Sequence, residues 1–223
     1  MIYNFDFRKS LGQNFLIDDS IVDNIANAID YKENNMIIEI GPGSGNLTKK
    51  LLKKADFVLL YEIDTRLKKI LSRELLEFNN YDIIWDDFLY RDVKEDLKKY
   101  NYKNIYIVAN LPYYITTPIV SKFVMETIPA NEIVIMIQKE VAERLSAPVG
   151  TKEYGQITVL LNYYFNIEKI IDVDRKAFYP TPNVDSAVIK MIRKDNLEVL
   201  TSFEHFDKLV KDSFQFKRKT IKK

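Results

Sequence analysis

The sequence predicts an α/β fold in which helices pack against a parallel sheet. Short apolar runs alternate with segments of helical periodicity along most of the chain, a pattern typical of successive strand and helix units. Residues 36–40 form one such run, which leads through a glycine-rich turn into a helix. Residues 105–109 form another, which ends abruptly at an asparagine, a proline and two tyrosines. Ligands of such sheets bind beyond the carboxyl ends of strands, so both places are candidate sites.

Length and composition favour one sizeable domain without a strong overall charge. The chain has 223 residues, of which 47% are hydrophobic and 13% aromatic, enough for one core and a small appendage. The formal net charge is only +1, so nucleic-acid binding would depend on local basic patches. No apolar run approaches membrane-spanning length, and the N-terminus lacks a signal-peptide layout. We therefore expect a cytoplasmic protein without a membrane partner.

Two residue types that build many catalytic sites are absent or nearly absent. The chain has no cysteine, which excludes disulfides, thiolate nucleophiles and thiolate metal ligands. Its single histidine, His205, cannot form a histidine cluster around a metal ion. We therefore expect no metal site.

The first polar segment, residues 8–16, precedes a predicted helix. Asp18, Asp19 or Ser20 can cap this helix, and the apolar residues that follow repeat at helical spacing. On pattern alone, residues 8–16 are typical of an N-terminal arm that lies across the domain.

The glycine-rich turn after residues 36–40 has the context of a nucleotide-type cofactor site. Gly41, Gly43 and Gly45 let the backbone approach a ligand, and the following helix offers free N–H groups at its start. The G-x-G-x-G spacing places the third glycine one position early for the dinucleotide fingerprint, and Pro42 removes one amide. Both features argue against NAD. A purely structural strand-to-helix turn is the alternative interpretation.

The second predicted strand, residues 57–61, ends at Glu62 about twenty residues after the glycine turn. An acidic side chain at this position can accept hydrogen bonds from both hydroxyls of a ribose. An unpaired carboxylate at a strand end is unusual in a core, which favours the ribose role.

The third predicted strand, residues 81–85, is followed by Asp86, Asp87 and Phe88. A carboxylate followed by an apolar residue can bind an adenine amino group and cover the ring. Capping of a predicted helix over residues 92–100 is an equally good interpretation, although Asp92 can also supply that cap.

The loop Asn110-Leu111-Pro112-Tyr113-Tyr114 offers a side-chain amide, a backbone carbonyl before proline and flat rings. These groups suit a planar base that carries an exocyclic amino group. The loop lies at the carboxyl end of a predicted buried strand, which is where a ligand is expected.

The remaining segments continue the alternation of strands and helices. Thr116 begins a helix with Pro118 in its first turn, where proline is tolerated. Residues 147–155 form the best candidate for a mobile loop, and residues 157–165 a helix or a long buried segment. The other predictions are a helix at 65–78, a strand at 132–137, a helix at 138–145, and two strands near 167–173 and 184–192 that flank an aromatic, proline-stiffened loop at 178–183.

The character of the chain changes after residue 194. A short linker precedes residues 203–216, which are apolar at helical spacing, and a basic run at residues 217–223. That run is basic enough to contact phosphates, although terminal lysines are often only solvated. The sequence thus predicts a main domain over residues 1–194 and a separate segment over 195–223.

Taken together, five segments resemble the ribosomal RNA adenine N6-dimethyltransferases over nearly the whole chain. The order and spacing of these segments are highly specific. Two of them resemble the small-subunit branch of the family rather than the erythromycin-resistance branch. In chain order, the segments are residues 9–16, 39–45, 110–118, 153–155 and 178–186. In particular, Asn-Leu-Pro-Tyr-Tyr-Ile-Thr-Thr-Pro and Phe-x-Pro-x-Pro-x-Val-Asp-Ser are of the small-subunit type.

The resemblance implies a class I, Rossmann-like fold with a mostly parallel seven-stranded sheet that uses S-adenosylmethionine. Family members continue into a helical domain, so we expect residues 195–223 to begin a truncated helical RNA-binding domain. The implied partner is small-subunit rRNA in a pre-30S particle, modified at two adjacent adenines of its 3′-terminal hairpin, and we expect a monomer. By position, the cofactor-binding residues are Asn14, Leu16, Gly41, Gly43, Glu62, Asp87 and Asn110.

We expect the catalytic residues to be Asn110, Leu111, Pro112, Tyr113 and Phe178. We expect the Asn110 amide oxygen and the Leu111 carbonyl to accept the two hydrogens of the adenine amine. The amine would then direct its lone pair toward the methyl donor. Tyr113 and Phe178 would hold the flipped base between them.

Four other functions are compatible with parts of this pattern. The nearest is a resistance-type methylase of large-subunit rRNA. A DNA adenine methyltransferase usually has proline where this chain has Leu111. A non-catalytic ribosome-assembly or RNA-binding factor could share the fold, although the intact site residues argue against lost catalysis. An NAD oxidoreductase leaves the loops at 110–114 and 178–183 without a purpose.

Overall fold

The computed structural model describes residues 13–215. Within that range the strands and α-helices alternate along most of the chain, as the sequence predicts. The strands are β1 (Phe15–Leu16), β2 (Asn35–Ile40), β3 (Phe57–Tyr61), β4 (Tyr81–Ile84), β5 (Asn104–Asn110), β6 (Glu132–Gln138), β7 (Phe165–Val173), β8 (Phe178–Tyr179) and β9 (Ser186–Arg193). The helices are α1 (Asp19–Asn27), α2 (Asn46–Leu52), α3 (Lys68–Glu74), α4 (Val93–Leu97), α5 (Thr116–Met125), α6 (Lys139–Leu145), α7 (Gln156–Tyr164) and α8 (Phe203–Gln215).

Seven strands form one sheet in the order β4-β3-β2-β5-β6-β9-β7. The first five in this order are parallel, and β9 is antiparallel to both of its neighbours, β6 and β7. In this register Ile40 lies between Tyr61 and Ala109. The residues that directly follow β2 and β3, and the last residue of β5, therefore meet at one edge of the sheet.

The central strands are apolar because helices cover both faces of the sheet. All six residues of β2 are buried, and neighbouring positions such as Ile37 and Ile38 belong to cores on opposite faces. Glu39 is the exception, a carboxylate inside this apolar strand.

The start of α1 is fixed by Asp18, one of three caps that the sequence allows. Its carboxylate accepts hydrogen bonds from the backbone amides of Ser20 and Ile21 at 2.9 and 3.3 Å. Asp92 likewise caps α4 by accepting from the Glu95 amide at 3.0 Å. These contacts satisfy amides that a helix N-terminus otherwise leaves without partners.

Several predicted helices are shorter than their sequence patterns. The predicted helix at 65–78 begins as a 3₁₀ turn, Thr65–Leu67, and its α-helical part ends at Glu74. The segment at 157–165 is a helix that passes directly into β7 at Phe165. Apolar spacing marks which residues face the core, but it does not determine where backbone hydrogen bonding stops.

A small second sheet joins the N-terminal segment to the aromatic loop. Phe15 pairs with Tyr179 and Leu16 with Phe178, in antiparallel orientation. The sequence predicts an arm at residues 8–16, of which residues 8–12 lie outside the described range. Within the described part, Phe15 and Leu16 form the short strand, and both of their side chains are buried against the domain.

Helix α8 packs against α7 and extends the main core. The Phe206 ring lies 5.3 Å from that of Tyr163, and Gln156 donates a hydrogen bond to Asp207 at 3.2 Å. Val210 is buried within the larger core. The division of the chain at residue 194 stays a prediction, and the basic run at 217–223 lies outside the described residues.

Candidate active site

A cavity of about 330 Å³ opens at the carboxyl edge of the sheet. Its volume falls within the range of small-molecule sites. The walls come from the N-terminal segment, from the ends of four neighbouring strands and from β8. The predicted site residues Asn14, Leu16, Gly41, Gly43, Glu62, Asp87, Asn110, Leu111, Pro112, Tyr113 and Phe178 all line it.

The turn after β2 needs glycine at two positions for different reasons. Gly41 and Gly43 both have positive φ, +73° and +57°, which side-chain-bearing residues rarely adopt. A Cβ atom on Gly41 would meet nothing within 4 Å, whereas one on Gly43 would lie 2.7 Å from the Phe15 ring. The turn therefore presents open backbone to the cavity at Gly41 and packs closely against the N-terminal segment at Gly43.

Three hydrogen bonds fix the N-terminal segment over this turn. The Leu16 carbonyl accepts from the Asn46 side chain at 3.1 Å, and the Ile17 amide donates to the Ala177 carbonyl at 2.8 Å. Gln13 donates to Asp64 at 2.7 Å. Asn14 and Leu16 are thereby placed beside the glycine turn.

Glu62 is a buried carboxylate that two backbone amides hold in place. The Gly43 amide donates to its Oε2 at 3.2 Å and the Asp64 amide to its Oε1 at 2.8 Å. Burial raises the pKa of Glu62, and the two amides offset part of that rise. Each carboxylate oxygen can accept a second hydrogen bond, so the group can still receive a pair of hydroxyls from the cavity.

The pKa of Asp64, two residues after Glu62, is shifted in the opposite direction. The Arg66 side chain forms hydrogen bonds to both of its carboxylate oxygens, at 2.9 and 2.6 Å. These bonds lower the pKa of Asp64 to about 2. Asp64 is therefore an ionised anchor for Gln13 and the N-terminal segment.

Glu39 is a cavity residue that sequence reasoning missed. It is only 1% exposed, and its Oε2 atom has no hydrogen-bond partner among residues 13–215. Burial raises the pKa of this carboxyl to about 8. The signal available in the sequence was one acidic residue inside an otherwise apolar strand.

Asp87 caps a short turn at the cavity, but not the helix at 92–100 that the sequence offered as the alternative. Its Oδ1 atom accepts from the Leu89 amide at 2.9 Å and caps the 3₁₀ turn Phe88–Tyr90. It does not cap α4, because Asp92 does so. Asp87 is half-buried and lines the cavity, so its second oxygen is available to a ligand.

The loop after β5 begins with two anchored residues. The Asn110 side-chain nitrogen donates to the Asn14 carbonyl at 3.4 Å, which directs its amide oxygen away from that contact. Leu111 is buried, and its amide donates to the Met136 carbonyl at 3.0 Å. The side-chain oxygen of Asn110 and the carbonyl that precedes Pro112 are therefore the acceptors that this loop offers.

Two aromatic residues from separate segments line the same end of the cavity. The Tyr113 hydroxyl forms a 2.8 Å hydrogen bond with Ser186, which fixes the ring from its far end. Phe178 is almost fully buried, and the Tyr179–Pro180 peptide that follows it is cis. Tyr114, the second ring of the loop that the sequence singled out, also lines the cavity and is 55% exposed.

A sequence model described as ribosomal RNA adenine dimethylase matches residues 4–223. The chain belongs to this family. The resemblance found in the sequence is thereby confirmed, and it covers the glycine turn, the loop after β5 and the aromatic loop together.

Related proteins share the fold of this chain, which spans about three quarters of the length of the curated relatives it matches. Ribosomal RNA small subunit methyltransferase A of Staphylococcus aureus is 45% identical over 222 residues, 98% of this chain and 75% of that protein. The crystal structure of a dimethyladenosine transferase from Plasmodium falciparum aligns with a TM-score of 0.82 and 32% identity, covering 93% of this chain and 73% of that one. The 23S rRNA methyltransferase ErmE aligns with a TM-score of 0.77 and 29% identity, covering 91% and 80%. The predicted class I methyltransferase fold is confirmed.

Two further features of the described residues bear on possible ligands. Within residues 13–215, no group of three or more His, Cys, Asp or Glu side chains is arranged to hold a metal ion. No helix in the same range is both long and apolar enough to span a membrane.

Proposed function

We propose that this protein transfers methyl groups from S-adenosylmethionine to the N6 atoms of two adjacent adenines in the 3′-terminal hairpin of small-subunit rRNA. The observation that carries the proposal is that the Asn110–Tyr113 loop and the Glu62 carboxylate line one cavity. The similarity to the Staphylococcus aureus small-subunit methyltransferase supports the choice of RNA.

The residues of the sheet edge fit S-adenosylmethionine. Glu62 would receive the ribose hydroxyls, Asp87 the adenine amino group, and Leu16 with the Gly41 turn the methionine part. Glu39, whose buried Oε2 atom has no hydrogen-bond partner among residues 13–215, adds a carboxyl group whose ionised form a cationic ligand would stabilise. When bound, this cofactor supplies a methyl group on a positively charged sulfur, which makes that carbon electrophilic.

The other side of the cavity would prepare the nucleophile. The lone pair of an adenine amine is delocalised into the ring, so the free amine is a poor nucleophile. Acceptance of its two hydrogens by the Asn110 Oδ1 atom and the Leu111 carbonyl would hold the amine out of conjugation and orient its lone pair. This effect is alignment and electrostatic placement, and it needs no strong general base.

Aromatic rings would hold the base in that orientation. Stacking on Tyr113 and Phe178 contributes roughly 1–3 kcal/mol per contact in nucleic-acid complexes. The hydroxyl of Tyr113 is already bonded to Ser186, so its ring loses little freedom when a base binds. The chain has only His205 and no cysteine, and His205 does not line the cavity, which agrees with alignment as the main catalytic device.

Transfer of radiolabelled methyl groups to isolated ribosomal subunits tests the proposal. We expect incorporation into 30S subunits that lack dimethyladenine and none into subunits that already carry it. No incorporation into unmodified 30S subunits would contradict the proposal.

A large-subunit rRNA methylase is the second candidate, because ErmE shares the fold at nearly the same identity as the dimethyladenosine transferase. Deproteinised 23S rRNA in the same assay separates the two. Label in 23S rRNA alone would favour this second function.

A further inference from the structure

Lys122 is a buried lysine outside the residues assigned above. It lies in the second turn of α5, and its side chain is 7% exposed. Its ammonium donates to the carbonyls of Leu89 and Arg91, at 3.3 and 2.8 Å, and to the carboxylate of Glu126. A lysine ammonium has three hydrogens, and these three acceptors use them all.

Two of those acceptors belong to the loop at residues 86–91, which carries Asp87. A second contact holds the end of this loop: the Arg91 side chain donates to Asp96 at 3.1 Å, and the Tyr61 hydroxyl donates to the same carboxylate at 3.0 Å. Phe88 fixes the middle of the loop, since its ring packs edge-on against Tyr61 at 5.1 Å. The loop is therefore joined to β3 by Arg91 and Phe88, and to α5 by Lys122.

Core packing alone does not account for a lysine at position 122. Its neighbours in α5, Val120, Phe123 and Val124, are buried and apolar, and an apolar side chain would avoid the desolvation of an ammonium. Burial of that charge becomes favourable only with full hydrogen bonding, which the two loop carbonyls and Glu126 supply. The Phe88 ring, 5.8 Å from the ammonium, adds a cation–π contact.

Helix α5 also supports the loop that would bind the target base. The 3₁₀ turn Tyr113–Ile115 leads directly into α5 at Thr116, and the Thr116 hydroxyl donates to the Pro112 carbonyl at 3.2 Å. One helix therefore holds the base loop at its N-terminus and the Asp87 loop through Lys122.

We propose that Lys122 is a positioning residue that holds the loop at 86–91 so that Asp87 recognises the amino group of the cofactor's adenine. This inference rests on the proposed use of S-adenosylmethionine. Lys122 itself touches neither the cofactor nor the base; it acts through the backbone that carries Asp87.

Discrimination between S-adenosylhomocysteine and its deaminated form, S-inosylhomocysteine, tests the proposal by calorimetry. Deamination replaces the amino donor with a carbonyl oxygen that faces a carboxylate, so wild type should bind the inosyl compound at least tenfold more weakly. Lys122→Met has a similar length but no donors. We expect it to reduce the discrimination to less than threefold, and Lys122→Arg to recover part of it.

A double-mutant cycle separates positioning from general stabilisation. Asp87→Ala should abolish the discrimination, and Lys122→Met should then change it no further. Equal weakening of both ligands by Lys122→Met, or the same loss of affinity with and without Asp87, would overturn the proposal. Absence of any binding to wild type would contradict the proposed function, and this inference with it.

Folding is checked by thermal unfolding of each variant. If Lys122→Met does not fold, Lys122→Gln replaces it, because the glutamine nitrogen ends one bond short and cannot reach both carbonyls. Discrimination should still fall at least threefold in Lys122→Gln. Discrimination equal to wild type in that folded variant would overturn the proposal.

Discussion

The two halves of the cavity are fixed in different ways. In the half formed by the glycine turn and Glu62, backbone amides hold the functional groups: those of Gly43 and Asp64 both donate to the buried Glu62 carboxylate. In the half formed by the loop after β5, the key amide makes one long contact, 3.4 Å from the Asn110 nitrogen to the Asn14 carbonyl. Tyr114 in this half is more than half exposed.

This difference suits two ligands of unlike size, a small cofactor and one nucleotide of a large RNA. A small cofactor gains affinity from donors and acceptors that need no rearrangement on binding. A nucleotide of a large RNA must leave its stack and enter from outside, so its side of the cavity has to stay accessible. We therefore expect changes in the first half to weaken cofactor binding, and changes in the second to reduce methyl transfer.

The largest expected effect is in the base half. Asn110→Ala removes one of the two proposed acceptors, and methyl transfer to 30S subunits should fall on the order of 10²–10³-fold, as for loss of one preorganised group in other enzymes. Thermal stability should change little, since the Asn110 side chain makes one long contact, and cofactor affinity, which Asn110 is also expected to support, should fall far less than methyl transfer. Asn101→Ala, an exposed asparagine before β5, is the matched control. Wild-type transfer rates in Asn110→Ala would show that the amide has no catalytic role.

Glu62→Ala tests the cofactor half. Loss of hydrogen bonds from two hydroxyls to a charged acceptor should weaken S-adenosylmethionine binding by about 30-fold, corresponding to about 2 kcal/mol. Calorimetric titration measures this, with the exposed Glu77→Ala as control. Unchanged affinity would refute the ribose assignment.

Gly43→Ala tests the packing of the N-terminal segment against the glycine turn. The new methyl group would overlap the Phe15 ring and add strain at a positive φ, so the free energy of unfolding should fall by about 2 kcal/mol. Gly150→Ala is the matched control, because Gly150 also has a positive φ but no atom within 4 Å of its Cβ position. Chemical denaturation compares the two, and equal losses would show that the Phe15 contact adds nothing to the backbone strain.

The effect that is smallest over a single pH unit concerns Glu39. Its pKa rises from 4.5 to about 8 on folding, so between these values the folded protein holds a proton that the unfolded chain has lost. Stability should therefore fall as pH rises through this window, by at most about 1.4 kcal/mol per pH unit from this group. Glu39→Gln should flatten that slope in urea denaturation at several pH values, whereas Glu77→Gln should leave it unchanged. A slope in Glu39→Gln equal to that of wild type would exclude Glu39 as its source.

The parts of the site that the sequence could predict are those where pattern and chemistry coincide. The strand–glycine–helix unit around Gly41 and the loop at Asn110 combine apolar periodicity with unusual residues at strand ends, so the sequence predicts both their local fold and their place at the ligand cavity. The pairing of Phe15–Leu16 with Phe178–Tyr179 was not, because two-residue strands carry no periodicity. Lys122 was also missed, since two of its three acceptors are the backbone carbonyls of residues 89 and 91, which no side-chain pattern reveals.

The most direct test of the two-halved site is mass spectrometry of the 3′-terminal fragment of 16S rRNA after reaction with S-adenosylmethionine. Wild type should convert two adjacent adenines of unmodified 30S subunits to N6,N6-dimethyladenine, and Asn110→Ala should leave nearly all of both adenines unmodified while still binding the cofactor. Unmodified adenines after reaction with cofactor-bound wild type, or methyl groups at other positions, would contradict the account.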